Sequence, residues 1–296
     1  MTSINSNLSS VNAQNNLSKS QASLATSMQR LSSGLRVNSS KDDAAGLSIA
    51  TKMDAQIRGM SQAVRNANDG ISLAQTKDGA LSTVTDVMQR MRELAVQGAN
   101  GTNTTNDSAS LDKEFQALST EVLRIATDTK FNGVSCLDLA NTATTIQVGA
   151  NSGSGQTISI PKTDLSTVSA TLLGTNLTGA AIAAVAATTT TAAVVVAAAT
   201  TSALGSNAAM TALDTALTSV NTMRADLGAV ENRLGYAVSN LQNSGENQSA
   251  AKSRIMDTDF AAETANLSRA QVLQQAGTAM VAQANQLPQG VMALLR

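Results

Sequence analysis

The chain has 296 residues and a net charge of −1, from 20 basic and 21 acidic side chains, and it contains no histidine. That absence excludes Ser-His-Asp and Cys-His catalysis, His-ligated zinc and H-E-x-x-H chemistry, and the balanced charge leaves no nucleic-acid footprint. Aromatic residues make up only 1% of a chain that is 42% hydrophobic, which suits close helix packing better than an aromatic-walled ligand pocket.

The first residues, MTSINSNLSSVNAQ, have neither a basic nor an apolar stretch, so no Sec-type signal peptide is expected. Leu17, Leu24 and Leu31 then recur every seven residues, with Met28 and Leu35 offset by four. A 3.5-residue period predicts a helix over about 1–35 with a thin apolar seam. Gly34 and the run from Asn38 to Asp43 break it. A shorter helix is predicted over 44–66, carrying Leu47, Ile49, Met53, Ile57, Met60 and Val64.

The strongest helical pattern runs from Ile71 to about Gln97, with Ala74, Leu81, Val84, Met88, Met91 and Ala95 on one face. At 1.5 Å per residue this is a rod of roughly 40 Å. The loop Gly98–Asn103 ends it. Leu111, Phe115, Leu118, Val122 and Ile125 step by four and three, which predicts an antiparallel neighbour. Asn132-Gly133 marks a turn. Thr144, Ile146, Val148, Ile158 and Ile160 alternate with polar residues and predict one small β-hairpin. An Ala/Thr/Val run over 180–199 reads as a low-complexity insert rather than a membrane span.

Helical order returns with Leu213, Leu217, Val220, Leu227, Leu234, Val238 and Leu241, beside a second line of Ala216, Met223, Val230 and Ala237. Two lines make a wide face that packs on more than one neighbour. The last helix is predicted over 254–285, with Leu273, Met280 and Leu287 at seven-residue spacing and Pro288 as its stop. The fold class is therefore mainly α. The N- and C-terminal segments form a long antiparallel helical coiled-coil bundle, with a small β-hairpin and a short outer insert between them.

Some stretches are more specific than periodicity. Met28-Gln29-Arg30-Leu31-Ser32-Ser33-Gly34-Leu35-Arg36-Val37-Asn38, Lys41-Asp42-Asp43-Ala44-Ala45-Gly46-Leu47, Asn68-Asp69-Gly70-Ile71 and Met91-Arg92-Glu93-Leu94-Ala95-Val96-Gln97 resemble the N-terminal region of bacterial flagellin. Ser268-Arg269-Ala270-Gln271, Gln274-Gln275-Ala276-Gly277, Ala282-Gln283-Ala284-Asn285-Gln286 and the final Leu294-Leu295-Arg296 resemble its C-terminal region. The resemblance covers about 1–140 and 205–296.

It implies a hairpin-shaped filament subunit without cofactor or enzymatic activity. An inner core domain would comprise 1–42 and 254–296, a wall rod domain 43–177 and 205–253, and an outer insert 178–204. It implies export through the flagellar type III apparatus, an extracellular filament, and partners in a filament cap, hook–filament junction proteins and an export chaperone. Leu17, Leu24, Met28, Leu31, Leu35, Leu273, Met280 and Leu287 are expected to form the polymerisation seam. The resemblance also implies contact of Gln89, Arg90, Leu94, Gln97 and Glu114 with a Toll-like receptor of animal hosts. Leu294, Leu295 and Arg296 would be a tail read by intracellular sensors. A hook–filament junction or accessory flagellar protein is the alternative. Asp42-Asp43 and Asp257-Thr258-Asp259 are expected to form turns and helix caps rather than a cation site. Cys136 is expected to act as a small, partly buried hydrophobe.

Overall fold

The computed structural model describes residues 7–137, 142–165 and 202–294. Its helices are α1 (Leu8–Ser33), α2 (Ala44–Gly98), α3 (Thr105–Asp128), α4 (Ser202–Met256) and α5 (Phe260–Leu294). Its strands are β1 (Lys130–Phe131), β2 (Val134–Ser135), β3 (Thr144–Gln147) and β4 (Thr157–Ile160). Two compact units result, one from Met1–Arg58 with Ser244–Arg296 and the other from Gly59–Asn243.

Three sequence expectations need correction. The helices predicted over 44–66 and 71–97 are one, because Gly70 sits inside α2 without interrupting it. A mid-helix glycine costs only about 1 kcal/mol, which neighbouring packing offsets. A second hairpin exists besides β3–β4. In it, Asn132 (φ 52°) and Gly133 (φ 79°) form the two-residue turn between β1 and β2, the left-handed pair that such tight turns require. Finally, α5 continues past Pro288 to Leu294; a proline disfavours the helical state of the residue before it but does not forbid it. Residues 178–201 of the expected insert lie outside the described residues, and Ser202 already opens α4.

The second unit holds the main core. Leu81, Val84, Met88 and Met91 of α2 pack with Phe115, Val122 and Ile125 of α3 and with Leu213, Val220, Leu227 and Leu234 of α4. These are the residues whose three-and-four spacing marked the apolar faces. Thr104 and Asp107 form a reciprocal capping box at the start of α3, and Asp107's carboxyl is held below its usual range by the Thr104 hydroxyl. The β3–β4 hairpin lies against α2 where its side chains are small. A Cβ on Gly59 would stand 2.8 Å from that of Ala150, and one on Gly70 3.0 Å from Ile146 Cγ1. Asn66, on the same helix face, donates its side-chain amide to the Gln147 carbonyl at 3.2 Å.

In the first unit α1 and α5 run antiparallel side by side. Among the described residues, its fully buried hydrophobics are only Val37, Ala50, Ala270 and Ala284.

Candidate assembly surface

The terminal pair is a regular coiled coil. On α1 the positions turned inward are Ser10, Ala13, Leu17, Ser20, Leu24, Ser27 and Leu31, continuing to Gly34 beyond the helix. On α5 they are Glu263, Leu267, Ala270, Gln274, Gly277, Val281 and Ala284; every other residue of 260–286 is exposed. Both sets step by four and three, the spacing that keeps one seam facing its partner. On each helix large and small inward residues are mixed, and at one level Leu17 of α1 meets Gly277 of α5, where a Cβ would stand 3.1 Å from Leu17 Cδ1.

Polar contacts close the seam at both ends. Asn7 Nδ2 donates to the Ala284 carbonyl and Ser10 Oγ to Asn285 Oδ1, each at 2.7 Å. At the other end Arg30 approaches the buried Glu263 carboxylate at 3.9 Å. There the chain segments also bond to each other. Arg36 N–H donates to the Met256 carbonyl at 2.6 Å, and Thr258 N–H to that of Gly34 at 3.0 Å. Gly34 has φ 70°, the left-handed value that ends a helix at glycine.

The aspartates of both junctions cap helices and order turns. Asp43 Oδ1 accepts from Gly46 N–H at 2.8 Å, and Asp259 Oδ1 from Ala261 N–H at 2.9 Å. Asp42 accepts from the Ser39 backbone and hydroxyl and from Asn38 N–H, which holds its carboxyl below the ordinary range. Asp54 of α2 pairs with Lys252 of α4 and is lowered chiefly by that bond. Among the described residues no three acidic, Cys or His side chains gather as metal ligands would.

The expected polymerisation residues divide into two sets. Leu17, Leu24 and Leu31 face α5 inside the pair, and Leu35 forms the isolated bridge with Asp257. Met28, Leu273 and Met280 point outward and are exposed, as are Leu8, Val11 and Val272. Leu287 lies within α5. The inward line of α5 was missed because several of its members are small; Ala270, Gly277 and Ala284 carry the same seven-residue repeat as the leucines.

Of the expected receptor contacts, Gln89, Arg90, Gln97 and Glu114 are exposed. Arg90 bonds to Glu93 at 2.9 Å and to Glu114 at 3.0 Å, which together hold its guanidinium firmly charged. Leu94 does not share that surface. It is 1% exposed and belongs to the core between α2 and its neighbours, because it follows Met91 by three residues on the buried stripe. Leu294 ends α5, while Leu295 and Arg296 lie outside the described residues.

The geometry is that of a mainly helical building block with an outward apolar line and no assembled catalytic group among the described residues. The bacterial flagellin N-terminal helical region matches residues 4–142, and the bacterial flagellin C-terminal helical region matches residues 210–295. The chain is 44% identical over 293 residues to a flagellin of Halalkalibacterium halodurans, covering 99% of each. It is 45% identical over 311 residues to a flagellin of Xenorhabdus nematophila and 42% identical over 307 to one of Bacillus subtilis, again covering 99% of each. The crystal structure of Bacillus cereus flagellin aligns at 33% identity and a TM-score of 0.48, covering 64% of this chain and 94% of that one. The chain belongs to the bacterial flagellin family. It is a structural subunit of an extracellular flagellar filament.

Proposed function

We propose that the unit made from the two chain ends forms the joints of the filament, using the outward line of Met28, Leu273 and Met280 on chain ends already paired through Leu17, Leu24, Leu31 and Leu35, with Leu287 joining that line by its seven-residue spacing from Met280. The observation that carries this reading is the exposed line of large apolar side chains on a unit whose own buried hydrophobics are mostly alanine. Ordering a residue costs about 1–2 kcal/mol. Four small buried side chains supply little against that, so neighbouring copies complete the unit. Folding of the ends and polymerisation are then one event, and the unequal surfaces of α1 and α5 favour a head-to-tail, open helical array.

This reading extends to the subunit's life cycle. The chain leaves the cell through the flagellar type III apparatus with its ends unfolded and an export chaperone on its C-terminal segment. It is then placed under the filament cap, beyond the hook–filament junction proteins. No helix of the described residues is long and apolar enough to cross a membrane, in keeping with that route. The domain division follows: 1–42 and 254–296 inner, 43–177 and 205–253 in the wall, 178–204 outside. The protein carries out no catalysis. In animal hosts, Gln89, Arg90, Gln97 and Glu114 present the surface for the Toll-like receptor, with Leu94 supporting it from beneath.

Electron microscopy after addition of filament seeds or a precipitating salt tests the joint. The full chain grows long helical fibres, and a chain lacking 1–35 stays a soluble helical monomer. Fibres from the truncated chain would overturn the assignment.

A further inference from the structure

An amine and a thiol lie buried inside the second unit. Lys77 of α2 is 1% exposed, and its Nζ is buried without a hydrogen-bond partner among the described residues. Cys136, directly after β2, is 3% exposed and is in no disulfide. Its Sγ donates to the Val134 carbonyl at 3.5 Å.

Backbone geometry brings the two to one level. Arg90 on α2 bridges Glu114 on α3 at 3.0 Å, which sets the antiparallel register of these helices. Equal numbers of residues separate Arg90 from Lys77 and Glu114 from Thr127, and both helices rise by about 1.5 Å per residue. Lys77 therefore stands beside the last turn of α3. The same turn receives Cys136: its N–H donates to the Thr129 carbonyl at 3.0 Å, and Thr129 N–H donates to Ile125. Burial lowers the lysine's proton affinity and raises the thiol's, and each group senses the other's charge.

We propose that the buried Lys77 amine and Cys136 thiol form a peroxide-triggered sulfur–nitrogen cross-link between α2 and the β1–β2 hairpin. Peroxide first oxidises the thiol to a sulfenic acid, itself being reduced to water. The neutral Lys77 amine then attacks the sulfenic sulfur. The S–O bond breaks, the hydroxyl leaves with an amine proton as a second water, and an S–N bond remains. Relative to the starting protein the product has lost two hydrogens. Sulfenic acids are ordinarily resolved by a second thiol or a nitrogen nucleophile. This chain contains no second cysteine, so an unpartnered amine in the same core is the available resolving group. A neutral amine is needed, and desolvation favours that form.

The test treats full-length protein with hydrogen peroxide, blocks remaining thiols, digests without reductant and maps peptides by mass spectrometry. The expected product joins the Lys77 and Cys136 peptides with the loss of two hydrogens, and a thiol reductant separates them. In Lys77→Met the joined peptide is absent and Cys136 proceeds to sulfinic and sulfonic acid. The inference is overturned by sulfinic or sulfonic Cys136 beside an unmodified Lys77 peptide in the original chain. It is equally overturned by a thiol that stays unreacted there, or by a link that has gained an oxygen.

Discussion

Leu17 of α1 packs against the backbone of Gly277 on α5, leaving room for no side chain larger than a methyl. The missing side chain at Gly277 lets the Leu17 side chain lie close to the backbone of α5. Gly277→Ala asks Leu17 to yield by a few tenths of an ångström and gains about 1 kcal/mol of helix propensity, so filaments should still grow. Gly277→Leu overfills the seam at a cost of about 1–3 kcal/mol and should stop growth in seeded turbidity measurements. Adding Leu17→Ala to Gly277→Leu moves the knob to the other helix and should restore it.

The division between inward and outward lines predicts two separable defects. Leu273→Asp with Met280→Asp puts charge on the exposed face only. Sedimentation should find monomers, while the thermal unfolding of residues 59–243 stays unchanged. Leu24→Asp instead places a charge inside the α1–α5 pair, where it has no described partner, and should lower terminal protection in hydrogen exchange even within mixed filaments.

Much of this was legible from spacing alone. Leu81, Val84, Met88, Met91, Phe115, Val122, Leu213 and Leu227 are large, periodic and buried in the structure, since wide apolar faces have one good way to hide. Leu17, Leu24 and Leu31 were also readable. Their partners were not: Ala270, Gly277 and Ala284 register weakly by hydrophobicity, and their meaning comes from the leucines opposite. The outward position of Leu273 and Met280 depends on which line faces α1, a tertiary fact. The resemblance places Leu94 on a receptor surface with Arg90 and Gln97, yet the helical phase puts its side chain inside. The unbroken α2 and the passage of α5 through Pro288 are cases where a local breaker was outweighed.

The glycines on α2 yield a third prediction. Gly59→Val brings branched methyls into the backbone of Ala150, and Gly70→Val meets Ile146 and Leu234. Each should cost about 1–3 kcal/mol in denaturant unfolding and release the β3–β4 hairpin, seen as faster amide exchange at Ile146 and Ile158. Gly79, which has nothing within 4 Å of a Cβ, is the control. There, Gly79→Ala should stabilise by about 0.5–1 kcal/mol.

Lys77 gives the prediction with a pH signature. Burial lowers its folded-state proton affinity below that of the unfolded chain, whose lysines titrate near 10.5. Between the lowered value and 10.5 the unfolded chain binds the extra proton and the native chain does not. Stability should therefore rise with pH through this window, and the penalty is complete below the folded value. Lys77→Met keeps the stem's packing and removes the buried amine. It should raise unfolding stability near neutral pH by about 1–3 kcal/mol and flatten the alkaline rise in thermal melts. If the variant melts lower than the original at neutral pH, the amine has a partner in solution and the burial penalty assigned to it is wrong.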